Sequence, residues 1–418
     1  MEGIVKFKLM KKLIQHLTYE SYMMKISRIV TRFLLCLLIP VILTIRMISP
    51  ILLIRFGQTN SSRIGHFAIE TEIAQCQKRD RTRNHKLPII IDLYYVNGNI
   101  SNEYLFDQWR KVINYYPRWL IHPLNRLNQK IPASRKHNVF ADAAAQNIEI
   151  LDSFKPIIRL EDTDIFKAQK ILERIGIHKN DKVVCLCVRD DAYLQATYPS
   201  ENWKEHSHRD SDIKNYVLAA ETLASLGYKV VRMGKVVKGN FISNSASVID
   251  YANSAVRSDF LDVYLFSNAE FIISNATGMD YLGAIFRVPI GLVNTVTSES
   301  IKPGKILKLY QPKTAFDSSD GSVLGLADLV KRGFNFSYHA SDYSQMNVRF
   351  QENTEEEIKN FALELKELVE KNIEIIPQEE TIQGLRHAGA KNLSLSKISH
   401  NWLKAHDYYF QKSEGEVG

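Results

Sequence analysis

Cysteine is scarce: four residues (Cys36, Cys76, Cys185, Cys187) in a chain of 418. That is too few for a disulfide framework at this size and points to a reducing, cytoplasmic setting. Cys185 and Cys187 alternate along one apolar strand, and lacking further ligands they read as a packed thiol pair, not a zinc site. A P-loop, a GxGxxG turn, zinc-type His/Cys spacing and Ser or Cys nucleophile motifs are all absent, as are internal repeats and low-complexity tracts. A clear membrane span is missing too. The apolar run 33–45 is 13 residues long and interrupted by Pro40, whereas about 20 are needed to cross a bilayer. Extending it to Ile54 would bury Arg46 at a cost of roughly 2.5–3.5 kcal/mol.

What is present is ordinary globular material, 45% hydrophobic and 24% charged, with length for two to three domains. The net charge is +8, and the first 32 residues hold seven Lys and Arg against two Glu. Basic residues ahead of an apolar run resemble a signal peptide, but Arg46 and another apolar strand follow instead of a small-residue cleavage site. The expectation is a monotopic segment over 1–46, lying in the interface of an anionic membrane; a buried core helix is the alternative.

Strands at 51–56 and 87–95 alternate with helices at 67–77 and from Asn102 through Trp109, which predicts a parallel sheet. Pro117, Pro123 and Pro132 break any long helix in 113–160. From Asp181 the pattern sharpens: an apolar strand at 183–188, a helix from Ile213 ended by Gly227, a strand at 229–233, a short strand at 247–250 and a helix over 259–266. Thr354 and Glu357 offer a capping box for a following helix.

The most telling stretch is 271–294: an apolar strand, a turn from Ser274 to Gly278, a short helix, and a second strand. Backbone N–H groups and a helix start facing solvent suit a phosphate or diphosphate. Gly278 permits close approach, and Thr277 can cap the helix or bond a phosphate oxygen. An ordinary strand–turn–helix unit would read the same way. Arg189, Arg232, Asp250 and Asn275 each end a strand, where open parallel sheets bind ligands, and Asp190 follows Arg189. Two arginines beside a helix start provide bidentate donors for a diphosphate without a metal. Asp162/Asp164 and Asp210/Asp212 have a spacing that can hold a divalent cation, but helix capping explains both, so no metal site is expected. In Arg63-Ile-Gly-His66, Gly65 allows close backbone approach and His66 is a candidate general base facing the phosphate site across an interdomain cleft; Asp92 is the second candidate.

The runs 63–66, 188–194, 208–213, 231–234 and 274–281 resemble a bacterial family of glycosyltransferases found among surface-polysaccharide (lipopolysaccharide) biosynthesis genes, over about residues 50–375. The turn at Asn275–Gly278 is similar to that of heptosyltransferases, although Ser274-Asn-Ala-Thr replaces their acid. Arg189 after its strand resembles the fucosyltransferase superfamily, where such an arginine meets donor phosphates.

The resemblance implies a GT-B fold: α/β, with two Rossmann-like domains facing a cleft. The expected division is a membrane-associated helical segment 1–46, an acceptor domain 47–178 containing the Arg63–Gly65 loop, a nucleotide-sugar domain 179–375, and a tail 376–418 that folds back on the acceptor domain. The expected activity is sugar transfer from a nucleotide-sugar, bound as substrate and with no cofactor, to a glycan or lipid-linked acceptor. It would occur at the cytoplasmic face of the plasma membrane, with no nucleic-acid partner. A nucleotide-sugar 2-epimerase and a catalytically inactive GT-B scaffold or glycan-binding module are the alternatives.

Overall fold

A computed structural model describes residues 37–84, 88–296, 304–333, 339–373 and 398–410. The chain divides into two compact units: 1–59, 78–97 and 114–141 form the first, and 60–77, 98–113 and 142–418 the second. Segments 60–77, 98–113 and 142–178 precede the boundary expected at 178/179 and pack within the second unit.

The first unit is built on two parallel strands, β1 (Leu52–Thr59) and β2 (Ile89–Val96), in register from Leu52 opposite Ile89 to Thr59 opposite Val96. Among the described residues this sheet has only these two strands, smaller than the Rossmann sheet expected here. On one face Ile54, Phe56, Leu93 and Tyr95 pack with Ile42 and Ile45 of the helix Ile39–Met47 and Ile121 of the helix Arg118–Gln129. Pro123 lies inside that second helix rather than ending it. The opposite face carries a buried ion pair, Arg55 Nε to Asp92 Oδ1 at 2.7 Å, with Lys78 Nζ 3.2 Å from Asp92 Oδ2.

Of the segment 1–46, the described residues 37–46 are part of the fold, in line with the alternative of a core helix. Ile42 is fully buried, and Arg46 donates to Asn128 Oδ1 at 2.8 Å and to the Asn128 carbonyl at 3.2 Å. The basic residues Lys6 to Arg32 lie outside the described residues. Among those described, no helix is long and apolar enough to cross a membrane.

The second unit holds six strands: β3 (Lys182–Cys187), β4 (Tyr228–Arg232), β5 (Val248–Ile249), β6 (Phe271–Ser274), β7 (Ile290–Thr295) and β8 (Leu307–Pro312). Their order is β5-β4-β3-β6-β7-β8, every neighbouring pair parallel. Counted from β3 this is the doubly wound order 3-2-1-4-5-6, whose direction reverses between β3 and β6. β3 is apolar without interruption because helices cover both faces of the sheet. Ile358, Phe361 and Leu365 of the helix Glu355–Glu370 join Leu223 over Leu186, Val230 and Ile273. The capping box expected at Thr354 forms: the Glu357 amide donates to Thr354 Oγ1 at 3.3 Å, and the Thr354 amide to Glu357 Oε2 at 2.7 Å. Gly227, at φ +91°, closes the helix Val217–Ser225 as expected.

A small antiparallel sheet, β9 (Thr314–Asp317), β10 (Val323–Leu324) and β11 (Val348–Gln351), has the order β10-β9-β11. The described part of the tail, 398–410, packs Trp402 and Tyr409 on Leu326 and Ala327 of the second unit.

Candidate functional site

The site grows from the switch point of the six-stranded sheet. There the ends of β3 and β6 are tied together, because the Arg189 amide donates to Asn275 Oδ1 at 2.8 Å. The Asn275 side chain also donates through Nδ2 to the Arg209 carbonyl at 3.1 Å. Asn275 is thus a buried brace under the turn, its polar atoms already used.

The turn itself is strained and held. Ala276 has φ +63°, a left-handed conformation uncommon outside glycine. Thr277 N donates to Ser274 Oγ at 3.3 Å, and Thr277 Oγ1 accepts from Met279 N at 3.2 Å, so the threonine braces the turn, while the N-cap of the following helix is Met279, without a side-chain bond. Asp280 opens the following helix fully buried, accepting from Ser274 Oγ at 2.9 Å. Burial pushes its carboxyl up to about 7, against the opposing pull of the Ser274 hydroxyl.

Around this turn lies a pocket of about 790 Å³, formed entirely by the second unit. Of the residues singled out from sequence, Arg63, Gly65, His66, Arg189, Asp190, Thr277 and Gly278 line it. His66 therefore does not face the pocket across an interdomain cleft: segment 60–77 belongs to the same unit as the phosphate-type turn. Its Nδ1 lies 2.6 Å from Glu70 Oε1, one helical turn on, and its ring is half exposed. A carboxylate on Nδ1 leaves Nε2 as the atom able to accept a proton.

Arg189 and its partner differ from the expected pair. Arg189 donates from Nε to Asp210 Oδ1 at 2.9 Å. Arg209 lines the pocket beside Arg189, and Arg232 does not. Arg209 donates from Nη2 to the Ala276 carbonyl at 3.2 Å. Burial lowers its pKa to about 10, with Arg189 adding to the fall. Two cations held this close, both beside the turn, want an anion between them.

Arg232 and Asp250 are structural instead. Arg232 is 1% exposed and donates to the carbonyls of Gly239 at 2.9 Å and Lys238 at 3.0 Å. Asp250 Oδ2 accepts from the Phe241 amide and from Asn253 Nδ2, both at 2.8 Å. Asp190 has one oxygen on the Lys238 amide at 2.8 Å, so Arg232, Asp250 and Asp190 together shape the loop after β4. Asp92 is the other correction. It belongs to the first unit and its carboxylate is engaged by Arg55 and Lys78, which leaves it no room for a proton-transfer role.

The Asp-x-Asp pairs also separate by geometry. Asp210 meets Arg189, while Asp212 accepts from the Lys214 amide at 2.9 Å as a cap. Asp162 does not cap; the N-cap is Glu161, without a side-chain bond, and Asp164 accepts from the Tyr104 hydroxyl at 2.6 Å. Among the described residues no group of three His, Cys, Asp or Glu is arranged to hold a metal.

Sequence reading missed Arg209, although it lies in the quoted run 208–213. The missing signal was the loop path: buried Lys313 donates to the carbonyls of His208 at 3.1 Å and Asp210 at 2.6 Å. That contact, 103 residues distant in sequence, turns Arg209 inward. Aromatic rings from Tyr193, Trp203 and Tyr281 complete the lining.

No family model matches the chain, and no curated protein matches it in sequence. Among solved structures it is similar to the glycosyl transferase family 9 protein of Veillonella parvula, with 12% identity over 75% of this chain and 97% of that one, at a TM-score of 0.42. It is also similar to ADP-heptose LPS heptosyltransferase II of E. coli, with 11% identity over 62% of this chain and 90% of that one, at a TM-score of 0.35. A third similarity is to the dodecameric iron-containing heptosyltransferase TibC of enterotoxigenic E. coli, in complex with ADP-D-beta-D-heptose. There the identity is 11% over 77% of each chain, at a TM-score of 0.34.

Proposed function

We propose that the protein is a glycosyltransferase of GT-B type that moves a sugar from a nucleotide-sugar to a glycan or lipid-linked acceptor in surface-polysaccharide biosynthesis. The observation that carries this is the meeting of Arg189 and Arg209 on the Asn275–Gly278 turn, at the switch point of a doubly wound sheet, in a pocket that His66 also lines. A nucleoside diphosphate supplies the anion those groups require.

In the proposed step the bond between the anomeric carbon and the diphosphate oxygen breaks, and its electron pair leaves with the diphosphate. Arg189 and Arg209 stabilise the charge that grows there. The acceptor hydroxyl oxygen attacks the anomeric carbon. For an inverting reaction His66 Nε2 takes the hydroxyl proton while Glu70 holds Nδ1. No cofactor enters this scheme, and the arginines perform the charge neutralisation that a divalent cation would otherwise supply.

The test is release of nucleoside diphosphate from a panel of nucleotide-sugars, with and without candidate acceptor glycans and lipid-linked saccharides. The transferase reading predicts release that depends on acceptor. Conversion of donor without acceptor would favour a 2-epimerase, and donor binding without turnover in the presence of native acceptor would favour an inactive module.

A further inference from the structure

Charge is divided unequally between the two units. Residues 1–59, 78–97 and 114–141 hold 19 Lys and Arg against four Asp and Glu, a net of +15, while the remainder holds 35 against 42, a net of −7. The whole excess of positive charge is therefore on the first unit. Its segment 114–141 carries Arg118, Arg126, Lys130, Arg135 and Lys136, all exposed, with no acidic residue among them.

The same unit leaves large apolar side chains uncovered. On the helix Ile39–Met47 and the turn after it, Leu43, Met47 and Ile51 are 48%, 80% and 64% exposed, and Trp119 at the start of the helix Arg118–Gln129 is 75% exposed. Ile89 is 56% exposed, and its amide donates to the Ile51 carbonyl at 2.9 Å. The opposite sides of both helices share one core through Ile42, Ile45 and Ile121, and Arg46 joins them by its bonds to Asn128. The outward faces are thus rigid parts of the fold.

We infer that the outward faces of the helices Ile39–Met47 and Arg118–Gln129 dock on an anionic lipid surface. Exposed aliphatic residues and a tryptophan on a unit whose exposed basic side chains far outnumber its acidic ones match the interfacial region of a bilayer, where apolar side chains enter the acyl boundary and basic ones meet headgroup phosphates. Leu37, 59% exposed, follows in sequence a stretch of 36 residues that holds seven basic and two acidic side chains. A second copy of this chain is a poorer occupant, since a face of one charge sign opposes itself across a two-fold axis. The inference does not depend on the transferase reading.

The experiment is vesicle flotation of the full-length chain with mixed phosphatidylglycerol–phosphatidylcholine vesicles and with phosphatidylcholine alone. Two variants keep residues 1–36 intact: Met47→Ser with Ile51→Ser and Trp119→Ser, and Arg118→Glu with Arg126→Glu and Lys130→Glu. Thermal melts establish that each remains folded. Wild type should float with the anionic vesicles, more weakly in high salt, and both variants should partition less by about tenfold or more. Equal binding of wild type to neutral vesicles, or variants that float as wild type does, would overturn the inference. So would a dimer by light scattering that the apolar variant converts to monomer while wild type ignores vesicles, since the face would then belong to a second copy.

Discussion

Gly65 and Gly278 meet backbone to backbone: a Cβ built on Gly65 would lie 2.9 Å from the Gly278 carbonyl oxygen and 3.0 Å from its Cα. This approach sets the helix start that carries His66 against the turn after β6. The relation is asymmetric, because a Cβ on Gly278 would lie 3.4 Å from the Gly65 nitrogen, an ordinary contact. Gly65→Ala should therefore cost about 1–3 kcal/mol of stability, measured by urea denaturation, and should displace His66 enough to lower turnover. Gly278→Ala should cost much less; equal losses in the two variants would mean that the glycines do not pack as described.

The pocket arginines and the loop arginine should separate under mutation. Arg209→Gln removes a charge-assisted partner of a diphosphate and should weaken nucleoside diphosphate binding by about 1.5–3 kcal/mol with little change in melting. Arg189→Gln should behave similarly. Arg232→Gln leaves Asp190 and Asp250 short of a cation in the loop after β4, so it should lower stability by about 3–5 kcal/mol. Calorimetric titration beside thermal unfolding reads both effects, and a swap of the two phenotypes would reverse the roles assigned here.

Asp280 makes stability depend on pH in a stated direction. Its carboxyl, raised to about 7 in the fold, keeps a proton that the unfolded chain loses near its ordinary value of about 4. The folded state then binds more protons between those values, so this group's contribution is full below about 4 and declines as pH rises toward 7. Asp280→Asn should gain on wild type across that window, by about 1.4 kcal/mol for each unit separating the two values. Asp262, raised to about 6 by burial despite Arg257, contributes in the same sense and stays in both proteins. A stability difference that does not move between pH values of about 4 and 7 would remove Asp280 as the source.

Metal removal provides a further check. Asp210 is committed to Arg189, and Asp212 caps the segment Ile213–Tyr216. Transfer activity should persist in excess chelator. Loss of activity restored by magnesium or manganese would make these two aspartates the first ligands to test.

Much of the second unit could be read in advance, because its signals are local. Continuous apolar strands, the Gly227 cap and the Thr354 capping box each act over a few residues, and β3, β4, β6 and β7 fall within two residues of their expected bounds. The site was only partly readable. Arg189, Thr277 and Gly278 follow strand ends, and that position alone brings them to the pocket. Arg232 also ends a strand, yet its side chain turns back onto the Lys238 and Gly239 carbonyls. Such a choice between ligand and loop depends on neighbours that strand position does not reveal. Arg209 depends in the same way on Lys313, which bonds the next residue, Asp210, from 103 residues away, and Asp92 depends on Arg55, 37 residues away. The division into units was harder still, since segments 60–77 and 98–113 leave the first unit and return to it.

The most direct measurement is calorimetric titration of wild type, Arg189→Gln and Arg209→Gln with ADP, UDP, GDP and CDP, each beside its nucleoside monophosphate. A pocket built around a diphosphate predicts that at least one diphosphate binds wild type more tightly than its monophosphate, and that both variants lose that preference while still folded. If no diphosphate is preferred, or if the preference survives loss of both arginines, the switch-point turn is not a nucleotide-sugar site and the transferase reading fails.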